Sequence, residues 1–311
     1  MQRFKNILLV SDGEERNIAG LERAGALAGR NQAQLTVVSV VESLPLELQR
    51  LMAAVHAADL WQLAVEERRE RLERFVARVW QGEVRLASKI LLGTPFLEVI
   101  REVLRNQHDL VMMTAEGKSG IKDILFGSTS MHLMRKCPCP VWVMKPEQHT
   151  RYARVMAAAD PMATDVRHQS LNHKIMQLAS SLARIEGSQL HVVHAWLPVT
   201  ERISFFGRPP LSEPELTAAT RQAHETAFEE LIQKCDLEGL RVQLHLQKGE
   251  ASHLIPGLAQ KKHIDVIVMG TLCRTGVPGL FIGNTAERVL WQVHCSVLTV
   301  KPEGFVTPVT A

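Results

Sequence analysis

What this sequence lacks narrows it first. It has no excess of charge of one sign. Against 36 Lys and Arg stand 33 Asp and Glu, a formal net charge of +3, and no dense basic run appears. Arg68-Arg69-Glu70-Arg71 is interleaved with glutamate and reads as a solvated helix face. Neither nucleic acid nor a membrane surface is therefore expected as a partner. Long hydrophobic runs are missing as well. The apolar stretch Ile7-Leu8-Leu9-Val10 is too short for a signal-peptide core or a membrane span, so a cytoplasmic protein is expected. Cysteine is scarce: Cys137, Cys139, Cys235, Cys273 and Cys295 form no disulfide framework. Cys137-Pro138-Cys139-Pro140 lacks the two-residue spacer with which paired thiolates grip zinc, and no Cys/His pair lies nearby. It reads as a small apolar turn feeding a strand. Cys295 occupies the same turn in the second half, which favours packing over chemistry.

Catalytic motifs are equally absent. No Gly-x-Gly-x-x-Gly follows the first strand of either half, which argues against a dinucleotide site, and no Gly-x-Ser-x-Gly elbow offers a nucleophile. The stretch Met112 to Ser119 ends like a P-loop, but Met112 sits inside a strand where the motif needs its opening glycine. His191 and His194 are three apart on one strand and point to opposite faces, so they cannot share a metal there.

What is present is a duplication. Asp109-Leu-Val-Met-Met-Thr114 runs through Gly127-Ser128-Thr129 to Lys145-Pro146. Asp265-Val-Ile-Val-Met-Gly270 runs through Gly283-Asn284-Thr285 to Lys301-Pro302. The two copies lie 156 positions apart, and Gly93 maps to Gly249 at the same offset. The length suits two domains of about 150 residues each, here 1–148 and 152–311, joined by the short polar stretch 147–153. Each half alternates short apolar runs with helical periodicity. In the first half the strands fall at 6–10, 35–41, 84–91, 110–113 and 141–144, with a long helical stretch over 46–79. The second half repeats the order, with strands at 155–159, 190–195, 242–246, 266–269 and 297–300. Near-continuous apolar strands between helices predict two tandem doubly wound α/β domains, each with a five-stranded parallel sheet covered on both faces.

Ligands of such sheets sit beyond the carboxyl ends of the strands. Strand four of the second half ends there at Gly270, in a loop whose amides can nest an anion. A helix starting near Gly283-Asn284-Thr285 adds its dipole, and Asn284 with Glu287 has the form of a capping box. An acidic residue ends strand one in each half, Asp12 and Asp160, able to accept from a ribose hydroxyl or a base amine.

These residues carry a resemblance to the universal stress protein family in its two-domain form. The family's nucleotide motif is Gly, two residues, Gly, nine residues, Gly, then Ser, Thr or Asn. It is matched by Gly270-x-x-Cys273…Gly283-Asn284 and by Thr114-x-x-Gly117…Gly127-Ser128. The resemblance covers essentially the whole chain. It implies a regulatory stress-response protein, with at most slow ATP hydrolysis, that binds ATP or another adenine nucleotide, with or without magnesium. By position, the second-half pocket would use Asp160, Ala195, Gly270, Arg274, Gly283, Asn284 and Thr285. The first-half pocket would use Asp12, Val40, Gly117, Gly127, Ser128 and Thr129. Each motif has lost one glycine, to Thr114 or to Cys273. A side chain in a left-handed position would cost about 1–2 kcal/mol, and the second pocket is expected to be the better one. The resemblance also implies that the last strands of the halves pair within one chain as a pseudo-dimer, with a homodimer as a further step and a protein partner unknown. The alternatives are a nucleotide-free scaffold that binds a partner, or an apolar-ligand carrier using Leu48, Leu51, Met52, Val55, Leu60, Trp61 and Leu63.

Overall fold

The computed structural model describes residues 4–42, 58–82, 84–115, 126–146, 151–162, 165–198, 212–271 and 283–310. The chain forms two compact units, Met1–Thr150 with Val306–Ala311, and Arg151–Phe305. The first unit runs β1 (Asn6–Val10), a 3-10 turn (Glu15–Asn17), α1 (Ile18–Asn31), β2 (Gln34–Val41), α2 (Ala58–Val79), β3 (Leu86–Leu92), α3 (Pro95–Asn106), β4 (Leu110–Thr114), α4 (Ser128–Lys136) and β5 (Val141–Met144). Its strands are all parallel, in the order β3-β2-β1-β4-β5.

The second unit runs β6 (Arg154–Ala158), α5 (Val166–Glu186), β7 (Gln189–Trp196), α6 (Glu213–Gln233), β8 (Arg241–Lys248), α7 (Ala251–Lys261), β9 (Val266–Gly270), α8 (Asn284–Gln292) and β10 (Ser296–Val300). Its order is the same, β8-β7-β6-β9-β10, again all parallel. The doubly wound fold expected from the sequence is therefore observed twice. In each sheet the strand order reverses beside the first strand of the unit, which opens a crevice at the carboxyl edge.

The burial pattern explains why these stretches are strands. Every residue of β4, β5 and β10 is buried, as helices on both faces require. The outer strands β3 and β8 are largely half-buried or exposed instead, with Leu92 and Leu244 exposed. The long helical stretch expected over 46–79 is described from Ala58 onward. Of the apolar stripe, Leu63 stands exposed on α2, while Leu48, Leu51, Met52, Val55 and the side chains of Leu60 and Trp61 lie outside the described residues.

Part of the repeat has a structural reason. The Asp109 carboxylate accepts the backbone N–H of Lys5 at 2.6 Å and of Asn6 at 3.1 Å. Asp265 does the same for Ala153 at 2.7 Å and Arg154 at 2.8 Å. Each carboxylate ties the entry of its unit's fourth strand to the entry of the first. Gly93 and Gly249, which follow β3 and β8, have φ of +138° and +137°. Their amides donate to Val41 O at 3.0 Å and Trp196 O at 2.8 Å. An L-residue is strained at that φ, so Gly249→Ala should lose about 1–3 kcal/mol of stability. Urea unfolding measures this, and an unchanged midpoint would contradict it.

Candidate functional site

The second crevice is a cavity of about 490 Å³, within the range of small-molecule sites. Its lining includes Asp160, Ala195, Gly270, Gly283, Asn284 and Thr285, together with His168, His194, Glu250 and Arg288. Six residues expected at the second-half site thus meet on one wall system, although they come from four separate segments of chain. Arg274 and Cys273 lie outside the described residues.

Each is placed by an element that the local sequence dictates. Asp160 follows β6 and is fixed through its backbone. Its N–H donates to Asn172 Oδ1 at 3.0 Å, and Asn172 Nδ2 donates to Asp160 O at 2.7 Å. Ala195 is the penultimate residue of β7. Gly283 is the N-cap of α8, with extended backbone and no side-chain cap bond. Asn284 is therefore the first helical residue, and the capping box expected between Asn284 and Glu287 does not form. Glu287 N–H instead donates to Gly283 O at 2.9 Å. This leaves the first-turn amides without acceptors inside the helix, which suits an anion. Arg288, one turn after Asn284 on the same helix face, adds a guanidinium. On the far side of the loop, buried Lys301 donates through Nζ to Thr271 Oγ1 and pins the exit of β9.

Gly270 has a different purpose from the one expected. Its φ is not left-handed. A Cβ there would stand 2.6 Å from Leu171 Cδ2, so glycine lets α5 lie close on β9. The first unit makes the same contact with the sizes exchanged. Thr114 occupies the strand position, and Gly20 on α1 makes room, its hypothetical Cβ only 2.7 Å from Thr114 Oγ1. The left-handed strain anticipated at Thr114 is absent because its backbone is ordinary strand, and the gap at Gly20 accommodates its side chain.

In the first unit, Asp12 follows β1, Val40 lies near the end of β2, and Gly127 caps α4, which begins with Ser128 and Thr129. All five stand at the carboxyl edge. Gly117 lies outside the described residues. Here Asp12 is already engaged: its carboxylate accepts from Arg16 Nη2, Asn17 Nδ2 and, at 3.0 Å, the N–H of Glu14. Asn17, the N-cap of α1, grips the Asp12 carboxylate, whereas Asn172, inside α5, grips the Asp160 backbone.

The histidines form two pairs on opposite faces of β7, as period-2 alternation requires. His194 is on the cavity wall. Its Nδ1–H donates to Ala159 O at 3.2 Å, so Nε2 accepts from His224 Nδ1–H at 2.7 Å. Burial and the neighbouring His224 lower its pKa to about 4. On the other face His191 Nε2–H donates to Gln189 Oε1 at 3.3 Å, and its Nδ1 accepts from His245 at 2.9 Å. Burial, then His245, Lys262 and Arg154, lower its pKa to about 4. Both imidazoles are neutral at pH 7. Among the described residues no group of three or more His, Cys, Asp or Glu could hold a metal ion, and no helix is long and apolar enough to cross a membrane.

Sequence reasoning missed Asn172, Arg288 and Lys301. The repeat carried signals for two of them: Asn17 precedes Asn172 by 155 positions, and Lys145-Pro146 precedes Lys301-Pro302 by 156.

Two parallel sheets of one topology, one with a ligand-sized cavity at its switch point, define a tandem protein of the doubly wound α/β class. The model of the universal stress protein family matches residues 3–145 and again 152–301, and the chain belongs to that family. It is 28% identical to Universal stress protein E of Escherichia coli (strain K12), over 99% of this chain and 98% of the relative. To Universal stress protein E of Photorhabdus laumondii it is 26% identical, over 100% and 99%. A functionally unknown protein from Pseudomonas aeruginosa PAO1 matches in structure with a TM-score of 0.70 and 28% identity, covering 98% of this chain and 95% of that one. A universal stress protein from Archaeoglobus fulgidus DSM 4304, with a TM-score of 0.59 and 19% identity over 95% and 98% of the two chains, shares the fold.

Proposed function

We propose that the second unit binds an adenine nucleotide, ATP or AMP, and that the protein acts in stress response as a regulator rather than a metabolic enzyme. The observation that carries this reading is the meeting of Asp160, Ala195, Gly270, Gly283, Asn284 and Thr285 on one cavity. Asp160 would accept from a ribose hydroxyl or the base amine, and the Ala195 backbone would face the adenine. The free amides at the start of α8, with Arg288, would hold phosphates. Magnesium would travel with the phosphates, because Asp160 and Glu250 are the only carboxylates on the described lining. Turnover is expected to be slow or nil. His194 is committed through both nitrogens, so it offers no ready general base.

The first unit fits the scaffold reading better, since Arg16 and Asn17 occupy the Asp12 carboxylate. Calorimetry is therefore expected to find one nucleotide per chain. Asp160→Ala and Arg288→Ala should each weaken ATP roughly tenfold, about 1.4 kcal/mol, while Asp12→Ala leaves affinity unchanged. No heat with millimolar ATP, together with no nucleotide released from freshly purified and denatured protein, would defeat the reading.

A further inference from the structure

The Cys137-Pro138-Cys139-Pro140 stretch is the turn feeding a strand expected from its sequence, and it also brings two thiols together. The two sulfurs are in contact, 3.5 Å apart, and both thiols are free. A one-residue spacer puts side chains i and i+2 on the same side of an extended chain, and the bend at Pro138 and Cys139 draws them together. The strap is anchored at both ends. Cys137 N–H donates to Leu133 O at 2.9 Å, closing α4, and Val111 N–H donates to Pro140 O at 3.0 Å, opening β5. Cys137 is fully buried and Cys139 half-buried.

We propose that Cys137 and Cys139 are an oxidisable dithiol, a modification site for two-electron oxidants of the hydroperoxide class. Cys139, the less buried of the two, attacks the terminal peroxide oxygen as its thiolate. The O–O bond breaks, the alcohol leaves after taking a proton, and Cys139 becomes a sulfenic acid. Cys137, already in contact, then attacks the Cys139 sulfur. The S–OH bond breaks, water leaves with the Cys137 proton, and the S–S bond forms. Two thiols and one hydroperoxide thus give one disulfide, one alcohol and one water. The sulfurs must close from contact to the covalent distance of about 2.05 Å, which side-chain rotation supplies between anchored backbone ends.

The same geometry sets the speed. The hydrogen bond that the Cys139 thiol donates to Cys137, then burial, hold the Cys139 thiol protonated well above its ordinary range. Besides Cys137, the facing charge is Asp109, which also disfavours the thiolate. The reaction is therefore slow at neutral pH and accelerates as pH rises. The site resists incidental oxidation and responds to a sustained oxidant. The matching turn of the second unit has Cys295 alone and cannot close such a ring.

The test uses the full-length reduced protein, treated with tert-butyl hydroperoxide at pH 7 and pH 9, alkylated under denaturing conditions and digested with trypsin. The fragment that starts at Cys137 is expected to have lost two hydrogens and to resist alkylation. Cys235 and Cys295 should remain alkylated, dithiothreitol should restore both thiols, and the rate should be several-fold higher at pH 9. Cys137→Ser should leave Cys139 as a dimedone-trappable sulfenic acid. Should Cys137→Ser fold poorly, the wild-type fragment decides by itself. The proposal is overturned if the fragment keeps two alkylatable thiols while Cys235 oxidises, or if its disulfide joins Cys139 to another cysteine.

Discussion

Between pH 6.5 and pH 5 the second unit should lose about 1 kcal/mol of stability per pH unit for each of His191 and His194. Both imidazoles have a folded pKa of about 4. Their unfolded value is near 6.5, so between these limits the unfolded chain binds more protons. Stability then falls as pH falls, the loss saturates near pH 4, and above 6.5 these groups add no pH dependence. The full effect is on the order of 3 kcal/mol per group, large against the 5–15 kcal/mol typical of a folded domain. The surroundings explain why neither proton is tolerated. His191 faces His245, Lys262 and Arg154, and a proton on its Nδ1 would meet the His245 donor. His194 faces His224 and spends its only N–H on Ala159 O. Urea midpoints across this window check the slope, which His191→Gln and His194→Gln should each flatten. A wild-type midpoint constant from pH 6.5 to 5 would disprove the assignment.

Gly283→Asp should separate stability from binding. The N-cap position has φ −61° and ψ 138°, an extended conformation that aspartate adopts readily, and aspartate is among the best N-caps. Its carboxylate would accept the first-turn amides of α8 that Gly283 leaves free, adding a few tenths of a kcal/mol to helix stability. Those amides are the ones proposed to hold the phosphates, and the new charge would repel what remains of the attraction. ATP affinity should drop at least a hundredfold, about 2.7 kcal/mol, while the melting temperature holds or rises. Parallel calorimetry and thermal melts on one preparation measure both. Unchanged affinity would remove α8 from the site, and a large fall in melting temperature would show that Gly283 is needed for packing instead.

The strands were legible because a parallel sheet covered on both faces demands near-continuous apolar runs, and β4, β5, β9 and β10 supply them. The candidate site was legible by position because each expected residue that is described lies near a strand end or a helix start, and the carboxyl edge gathers such ends. The physical reasons were less legible. Gly270 looks like a residue chosen for its own backbone freedom, yet what it answers to is Leu171, a side chain 99 positions earlier in the chain. Thr114 looks like damage until Gly20 is seen opposite it. Asn284 with Glu287 has the capping-box spacing, but Gly283 takes the cap. Alternation along β7 sends His191 and His194 to opposite faces, but it cannot name His245 and His224, which arrive from a different strand and a helix.

By itself the sequence determined the duplication, the α/β class, and which positions stand at the carboxyl edges. Those follow from periodicity and spacing, which are properties of neighbouring residues. Tertiary structure decided that six of the expected residues line one cavity in the second half, why one glycine can be replaced without strain, and that two scarce cysteines touch. These depend on which atoms from distant segments fill the same few ångströms, and close packing fixes that only when helix and sheet are brought together.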